Sequence, residues 1–472
     1  MSTNLFVCKQ VKPISFRPFV SKVSHLIPTT TYEKRKTALE RAGYNLFNLP
    51  STMISGGDYL TDSGTGGLFD TQRSMMELHD ESYAGSTSYQ RFEDSFKAIT
   101  GMPNILPVHQ GRAAEKVLFS SLLNENCVVL SNSLFDTTRA HVENTKAKGL
   151  DLVIDECYNI ESSHPFKGNI DLNKVKKAIE DANTNGKKIP FCVMTLTNNT
   201  GGGQPASMQN IRELKSLLDQ YKIPLMIDAC RFAENCYFIK QREPGYGNKS
   251  IEEIAKELFS YAECFTMSAK KDGIAHMGGA IGFRNPEWMD LLKPAVILNE
   301  GFINYGGMSG RDMEAVAQGL KEVLNEDYLR TRIEDTAYFA DQCKKYNIPI
   351  ITPPGGHAIY VDAGKLLPHL KSEEFPGQAL ACELYLRSGI RSCEMGSIMF
   401  GSFDEQGNLV KPHKRELVRF AIPRLVYNRE HLKYAAQQLA LLKQDAFRVK
   451  GMKFVSHPKV LPHFSATFNF VN

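Results

Sequence analysis

Residues 191–229 alternate two continuous apolar runs with an amphipathic segment. FCVMTLT and IPLMIDA have the length of buried strands. The segment ASMQNIRELKSLLDQY between them places Ile211, Leu214, Leu217 and Leu218 on one helical face. Ser207 is positioned to cap that helix. Apolar strands joined through an amphipathic helix are typical of a parallel sheet that is covered on both faces. The unit therefore predicts an α/β fold.

The chain is long enough for more than one structural unit, with 472 residues of which 42% are hydrophobic. Another strand-like run, CFTMSA, extends the α/β pattern, whereas shorter elements follow beyond about residue 320. We predict an N-terminal arm that joins a small domain over residues 1–58, a large domain over 59–322 and a small α+β domain over 323–472.

Composition argues against several classes of partner. The formal net charge is only +4 and basic residues are mixed with acidic ones, which is unlike a nucleic-acid-binding protein. No apolar run approaches the roughly 18 residues that cross a bilayer, and the N-terminal segment lacks the apolar core of a secretion signal. The ten cysteines form no CxxC pair, as expected of reduced thiols. We expect a cytoplasmic protein with no membrane partner.

Two polar residues lie where apolar strands end: Asp228 is near the C-terminal end of PLMIDA, and Lys271 lies in MSAKKDG just after another apolar strand. Open α/β sheets bind ligands at the carboxyl ends of their strands. Pyridoxal phosphate requires a lysine amine for its aldehyde and an acid that keeps its pyridine nitrogen protonated. HQGRAAEKVLF adds Gln110, Gly111 and Arg112 at a helix start, where backbone N–H groups bind phosphate. Each residue alone is equally a capping acid, a solvated lysine or an ordinary helix start, but their order favours a cofactor site.

A set of longer segments carries a resemblance from about residue 59 to the C-terminus. They are LTDSGTG, DESYAGS, HQGRAAE, FDTTRAH, GGGQPAS, DACRFAENCYFIKQRE, MSAKKD, EGFINYGG, PGGHAIYVDAGKLLPHL, EFPGQALACELY, AIPRLVY and PKVLPHFSA. In this order they resemble the β-eliminating lyase family, the tryptophanases and tyrosine phenol-lyases. The resemblance implies fold type I of the pyridoxal-phosphate enzymes, the aspartate-aminotransferase-like architecture, with a mainly parallel sheet in the large domain.

The same resemblance implies roles for individual residues. Lys271 would hold the cofactor as a Schiff base and remove the substrate Cα proton. Asp228 would pair with the pyridine nitrogen of the cofactor, and Arg231 would lie near the cofactor's phenolic oxygen. The phosphate and ring would be held by Gln110, Gly111, Arg112, Ser268 and Phe135. The substrate carboxylate would be received by Thr61, Ser63, Asn199 and Arg424. The bidentate fork of arginine suits that last task.

The resemblance also implies an assembly. Tyr83 would donate a proton across a subunit interface and Tyr305 would help to complete the neighbour's site, in a homotetramer with shared active sites. Glu81 takes the position of a potassium ligand, although His276 in KKDGIAHMGG departs from the residues expected beside it. Taken alone, Tyr83 is better interpreted as a half-buried aromatic residue, and Glu81 is equally a surface acid.

Three positions concern the group expelled from Cβ. Asp136 stands where a phenol site offers a hydroxyl, and Met395 in CEMGS stands where the phenol-lyases carry an arginine. His463 in LPHFSA matches a histidine of the tryptophanases, although alone it is equally an interfacial histidine. An acid suits an indole N–H, which only donates, and Met395 with Cys393 supplies apolar walls. These residues favour elimination of indole from tryptophan, with pyruvate and ammonium as the other products.

Other activities stay open at this point. Phenol from tyrosine or a thiol from an S-alkyl cysteine would use the same cofactor residues. An aminotransferase would also share Asp228 and Lys271. A nucleotide-binding module would need a phosphate fingerprint, and GTGGLFD lacks the full GxGxxG spacing.

Overall fold

A seven-stranded sheet forms the centre of the computed structural model, which describes residues 17–21 and 23–471. Its strands are β1 (Asn104–Val108), β2 (Val128–Ser131), β3 (Lys148–Asp151), β4 (Cys192–Thr195), β5 (Leu225–Asp228), β6 (Cys264–Ser268) and β7 (Gly279–Phe283). Their order is β1-β7-β6-β5-β4-β2-β3, and β7 alone in this sheet runs antiparallel to both of its neighbours. The predicted α/β fold with a mainly parallel sheet is confirmed.

Helices cover both faces of this sheet. The helices of the first part of the chain are α1 (Tyr32–Arg41), α2 (Asp70–Glu77), α3 (Thr87–Thr100), α4 (Gly111–Leu122), α5 (Asp136–Asn144), α6 (Leu172–Thr184), α7 (Met208–Gln220), α8 (Phe232–Arg242), α9 (Ile251–Ser260), α10 (Trp288–Asn299), α11 (Gly310–Glu322) and α12 (Glu326–Lys345), and all but α1 lie around this sheet. Cys192 and Met194 of β4 enter one buried cluster, whereas Val193 enters another on the opposite face. Burial on both faces explains the continuous apolar runs. Ser207 caps α7 as predicted, since its Oγ accepts from Asn210 N at 3.1 Å.

A second core lies around a three-stranded antiparallel sheet of order β8-β12-β9. The strands of this sheet are β8 (Ala358–Asp362), β9 (Cys393–Glu394) and β12 (Leu417–Ala421). Two further antiparallel pairs are formed by β10 (Ser402–Phe403) with β11 (Leu409–Lys411) and by β13 (Met452–Ser456) with β14 (Thr467–Phe470). Its helices are α13 (Ala363–Leu366), α14 (Pro376–Ser388), α15 (Ser397–Phe400), α16 (Arg429–Gln444) and α17 (Pro462–Ser465). Leu39 of α1 and Leu46 pack into this core.

Helix α12 joins the two cores. Leu329 and Ile333 in its first half pack in the core of the large sheet, while Phe339 and Cys343 pack in the second core. The predicted boundary near residue 322 falls just before this shared helix, and the three predicted domain ranges stay predictions. Of the predicted arm, residues 1–16 and 22 lie outside the described residues. Among the helices that the structure describes, none combines the length and the apolar character needed to span a membrane.

Candidate active site

A cavity of about 260 Å³ opens at the carboxyl ends of the parallel strands. Parallel strands end at the same edge of a sheet, and residues distant in sequence meet there. The wall contains most of the predicted site residues, namely Thr61, Ser63, Gln110, Gly111, Arg112, Phe135, Asp136, Asn199, Asp228, Arg231, Ser268, Lys271, Cys393 and His463. The structure therefore brings together groups that span some four hundred positions of the sequence.

Lys271 lies in a tight turn three residues after β6. Backbone N–H groups of neighbouring segments fix this turn, because Gly64 donates to Lys270 O at 2.8 Å and Ile274 donates to Lys271 O at 2.9 Å. The next side chain, Asp272, is fully buried, and its Oδ2 accepts from Ala233 N at 2.8 Å at the start of α8. The lysine thus projects from a rigid backbone. Burial and the neighbouring Lys271 cation lower the pKa of Lys270.

A cradle for an anion lies at the start of α4. Gly111 is the first residue of this twelve-residue helix, and Gln110 before it makes no side-chain capping bond. The first N–H groups of a helix have no intrahelical partner and attract anions. A Cβ atom on Gly111 would lie 2.6 Å from Ser268 Cβ, so only glycine lets the helix approach the end of β6 this closely. Arg112 and the Ser268 hydroxyl add donors at the same place.

Glu115 is a cavity residue that the sequence reasoning missed. It lies one turn after Gly111, and its Oε2 accepts from Thr137 Oγ1 at 2.9 Å while its Oε1 accepts from Thr138 Oγ1. Burial and the nearby carboxylate of Asp228 raise the pKa of Glu115 to about 7. These bonds tie α4 to the first turn of α5. An acid at position 115 between apolar helical residues was the available signal, since buried acids usually have partners.

Asp136 and His463 meet at another side of the cavity. Asp136 begins α5, His463 belongs to the short helix α17, and both side chains are buried. The atoms Asp136 Oδ2 and His463 Nε2 lie 2.8 Å apart, an ion-pair distance without the alignment of a hydrogen bond. Phe135 precedes Asp136, and the rings of Phe47 and His463 are 6.0 Å apart. The arrangement places a carboxylate and an imidazole in a largely aromatic corner.

The cavity wall contains Arg419 and not the predicted Arg424. Arg419 of β12 lies in the cavity wall, donates to Asn199 Oδ1 at 3.3 Å, and leaves its Nε atom without a partner. The predicted Arg424 lies outside this wall and is only 2% exposed. Its guanidinium donates to Asp62 at 2.9 Å, and to Glu234 and Asp272 at 2.8 Å each. The assignment of Arg424 was wrong because three buried carboxylates already hold its guanidinium.

The ion cluster around Arg424 supports the floor of the cavity. Arg231 Nη2 donates to Asp62 Oδ1 at 2.7 Å, and Arg332 Nε donates to Glu234 Oε1 at 3.2 Å. Burial would raise the pKa of Asp62, but the Arg231 and Arg424 cations outweigh it and hold that pKa well below its usual value. By contrast, burial dominates at Asp272 and raises its pKa to about 6. The predicted cofactor residue Arg231 is therefore held by Asp62.

Met395 and the two predicted interface residues lie outside the cavity. Met395 is 1% exposed in an apolar cluster against which Phe135 and Met399 pack, and Met399 lines the cavity in its place. Met395 was therefore wrong as a direct substrate contact, because it is enclosed behind the wall. Tyr83 is 66% exposed, and its ring stacks on Phe302 with centroids 5.3 Å apart.

Glu81 lies beside Tyr83 at the start of α11. Its Oε2 accepts from Gly310 N at 2.9 Å. Within the described part of the chain, no group of three or more His, Cys, Asp or Glu side chains has the arrangement of a metal site. The Nε2 atom of His276 lies 2.8 Å from Gly66 O. The potassium assignment thus stays a prediction that needs carbonyl ligands as well.

The fold is fold type I of the pyridoxal-phosphate enzymes. Among solved structures, an aminotransferase from Staphylococcus aureus superposes with a TM-score of 0.55 at 17% identity, over 82% of this chain and 93% of that chain. At this identity the likeness concerns the fold alone.

Comparison of sequences gives the family. Residues 58–438 match the family described as beta-eliminating lyase. A tryptophanase of Salinibacter ruber is 44% identical over 95% of this chain and 94% of its own length. A tyrosine phenol-lyase of Symbiobacterium thermophilum is 40% identical over 96% of this chain and 98% of its own length. This chain belongs to the β-eliminating lyase family.

Proposed function

We propose that this chain catalyses the β-elimination of L-tryptophan, which with water gives indole, pyruvate and ammonium. The observation that carries the proposal is the buried pair of Asp136 and His463, 2.8 Å apart in the cavity wall. An indole N–H only donates a hydrogen bond, so a carboxylate is its natural acceptor. The relative named tryptophanase, 44% identical to this chain, supports the same substrate.

The residues of the cavity fit pyridoxal phosphate. The cofactor supplies an aldehyde that captures an amine and a ring that absorbs the charge of a carbanion. Lys271 would provide the amine, and Asp228 at the end of β5 would face the pyridine nitrogen. The helix start at Gly111, with Ser268, would hold the phosphate, because the first N–H groups of α4 have no intrahelical partner and attract an anion. Phe135 would cover one face of the ring.

The remaining wall residues orient the amino acid. Arg419 and Asn199 would bind the α-carboxylate, with Thr61 and Ser63 nearby, which brings the substrate Cα towards Lys271. The free amine of Lys271 would take the proton from Cα. A rigid turn is useful here, because proton transfer needs heavy atoms within hydrogen-bond reach.

Asp136 and His463 would act on the leaving group. Asp136 would accept the indole N–H, and His463 beside it would keep the carboxylate oriented. The departing carbon must gain a proton, since an indolyl carbanion leaves poorly. Tyr83 of a neighbouring copy would supply that proton. Its exposed ring, next to those of Phe302 and Tyr305, forms an aromatic surface suited to such a contact.

The same proposal includes the assembly and the setting. A homotetramer would let Tyr83 and Tyr305 complete neighbouring sites, and a potassium ion near Glu81 would stabilise that interface. A reducing cytoplasm fits the nine cysteines of the described residues, which are all free.

Release of phenol from tyrosine is the second candidate, since a tyrosine phenol-lyase matches 96% of this chain at 40% identity. An S-alkyl cysteine would also fit the cofactor residues. Against phenol, the position predicted for a phenol-binding arginine holds the enclosed Met395.

A product assay with purified enzyme tests the proposal. Tryptophan, tyrosine and S-methylcysteine are compared at equal cofactor saturation, with potassium or sodium as the cation. We expect the highest kcat/KM for indole release and a loss of rate in sodium. A higher kcat/KM for phenol release would overturn the choice of tryptophan.

Two variants locate the leaving-group chemistry. We expect Asp136→Asn and His463→Phe to lower kcat/KM for tryptophan by about 10²- to 10⁴-fold, the usual scale of acid–base assistance. The kcat/KM for S-methylcysteine should fall much less, because its thiolate leaves readily. His457→Phe is a matched control, because His457 lies outside the cavity wall. Equal losses for both substrates would show that the pair serves the fold rather than the leaving group.

A further inference from the structure

Three side chains converge on one atom at the cavity wall, Oδ1 of Asn199. It lies 2.6 Å from the Tyr360 hydroxyl, 3.0 Å from His357 Nε2 and 3.3 Å from Arg419 Nη1. Tyr360 of β8 is 1% exposed and His357 is fully buried. Such a convergence of donors on a single oxygen fixes an otherwise ambiguous amide group.

The chemistry of the partners assigns every proton in this cluster. A guanidinium only donates, so the atom of Asn199 that faces Arg419 is the amide oxygen. That oxygen only accepts, and therefore the Tyr360 hydroxyl donates to it. Burial and the Arg231 cation hold the pKa of His357 well below its usual value, so the imidazole is neutral. Its Nε2–H donates to Asn199, which agrees with a buried Nδ1 atom that has no partner.

With its oxygen turned towards this cluster, Asn199 presents its other edge to the cavity. The oxygen and the NH2 group occupy opposite corners of a planar amide. Asn199 and Arg419 both lie in the cavity wall, and Arg419 Nε has no partner. Two neighbouring donors of this kind match the two oxygens of a carboxylate.

We propose that Tyr360 is a positioning residue for the substrate α-carboxylate: its hydroxyl holds the Asn199 amide so that the NH2 group faces the carboxylate beside Arg419. This rests on the proposed amino-acid substrate. Without the hydroxyl, the amide loses its shortest anchor and can rotate. Its oxygen would then point at the carboxylate and repel it, so the loss should fall on carboxylate binding.

Tyr360→Phe removes one oxygen and keeps the ring in the core. Tyr385→Phe is the matched control, because Tyr385 is also fully buried but donates to Met53 O at 3.1 Å, in the second core. The holoenzyme is titrated calorimetrically with L-phenylalanine and with 2-phenylethylamine. These ligands differ only in the α-carboxylate, and neither carries a group that the enzyme expels.

We expect Tyr360→Phe to weaken the binding of L-phenylalanine by about 3- to 10-fold, which is the scale of one net hydrogen bond. The affinity for 2-phenylethylamine should stay within about 2-fold of that of the parent enzyme. KM for the preferred substrate should rise more than kcat falls, and Tyr385→Phe should resemble the parent enzyme. Equal weakening of both ligands would mean a general distortion and would overturn the proposal. Unchanged binding of both would do the same.

The leaving-group proposal fails by a different observation. An enzyme that releases phenol rather than indole would refute the choice of tryptophan. The two titrations would still test the role of Tyr360, because L-phenylalanine carries no group that the enzyme expels. A chain that binds neither ligand in its parent form would refute the amino-acid substrate itself.

Discussion

Replacing Arg424 by methionine should cost stability rather than substrate affinity. Its guanidinium is 2% exposed and contacts Asp62, Glu234 and Asp272 at 2.8–2.9 Å. Removal leaves three buried carboxylates with two remaining cations, Arg231 and Arg332. Leaving a buried charge without its partner typically costs about 3–5 kcal/mol. We expect a loss of that size at pH 8.

The loss should shrink in acid, because Asp272 titrates in the folded protein. Its folded pKa of about 6 lies above the ordinary value of 3.8, so the folded state binds the extra proton between these values. Stability attributable to Asp272 therefore falls as pH rises through that window. Arg424 lowers this pKa, so the variant raises it further. Each added pKa unit contributes about 1.4 kcal/mol of pH dependence.

Denaturant unfolding of the holoenzyme at pH 5.5 and pH 8 measures both effects. Arg212→Met is the control, since its pair with Glu257 is 51% exposed on the arginine side and should cost under about 1 kcal/mol. Arg419→Met should show the opposite pattern, because it should raise KM strongly and cost little stability. An Arg424→Met enzyme of unchanged stability that has lost affinity for L-phenylalanine, but not for 2-phenylethylamine, would refute the reasoning.

Three further outcomes follow from the cavity and its surroundings. Lys271→Ala should lose the cofactor's protein-bound absorbance band and all turnover while Lys270→Ala keeps the band; retention by the first variant would place the attachment elsewhere. Gly111→Ala should weaken cofactor binding by about 10-fold or more in a titration of apoenzyme, because its Cβ would lie 2.6 Å from Ser268 Cβ. Gly247→Ala, with open space around position 247, should bind the cofactor normally. Equal cofactor affinities of the two variants would contradict the anion cradle at Gly111. Burial raises the pKa of Glu416 to about 7, above an ordinary 4.5, so its contribution to stability falls as pH rises through this range. Glu416→Gln should flatten the pH dependence of unfolding, and parallel curves would argue against it.

Part of the active site could be predicted because its residues follow strands that can be recognised from a few neighbouring residues. Asp228 ends β5, and the run before it is apolar because β5 is buried on both faces. Gly111 begins α4 as the helix pattern indicated. Glu115 was missed because a helical acid usually faces solvent, and nothing local reveals the two threonine hydroxyls that it meets.

The sequence by itself determined the family, the cofactor class and the parallel sheet. Each depends on residue types in a fixed order, and a strand or helix start reveals itself within a few positions. The tertiary structure decided which of two arginines, five positions apart, reaches the cavity. Arg419 on β12 lies in the cavity wall, whereas Arg424 pairs with Asp62, 362 positions earlier in the chain. Burial makes an unpaired charge costly, so partners remote in sequence govern where each guanidinium points.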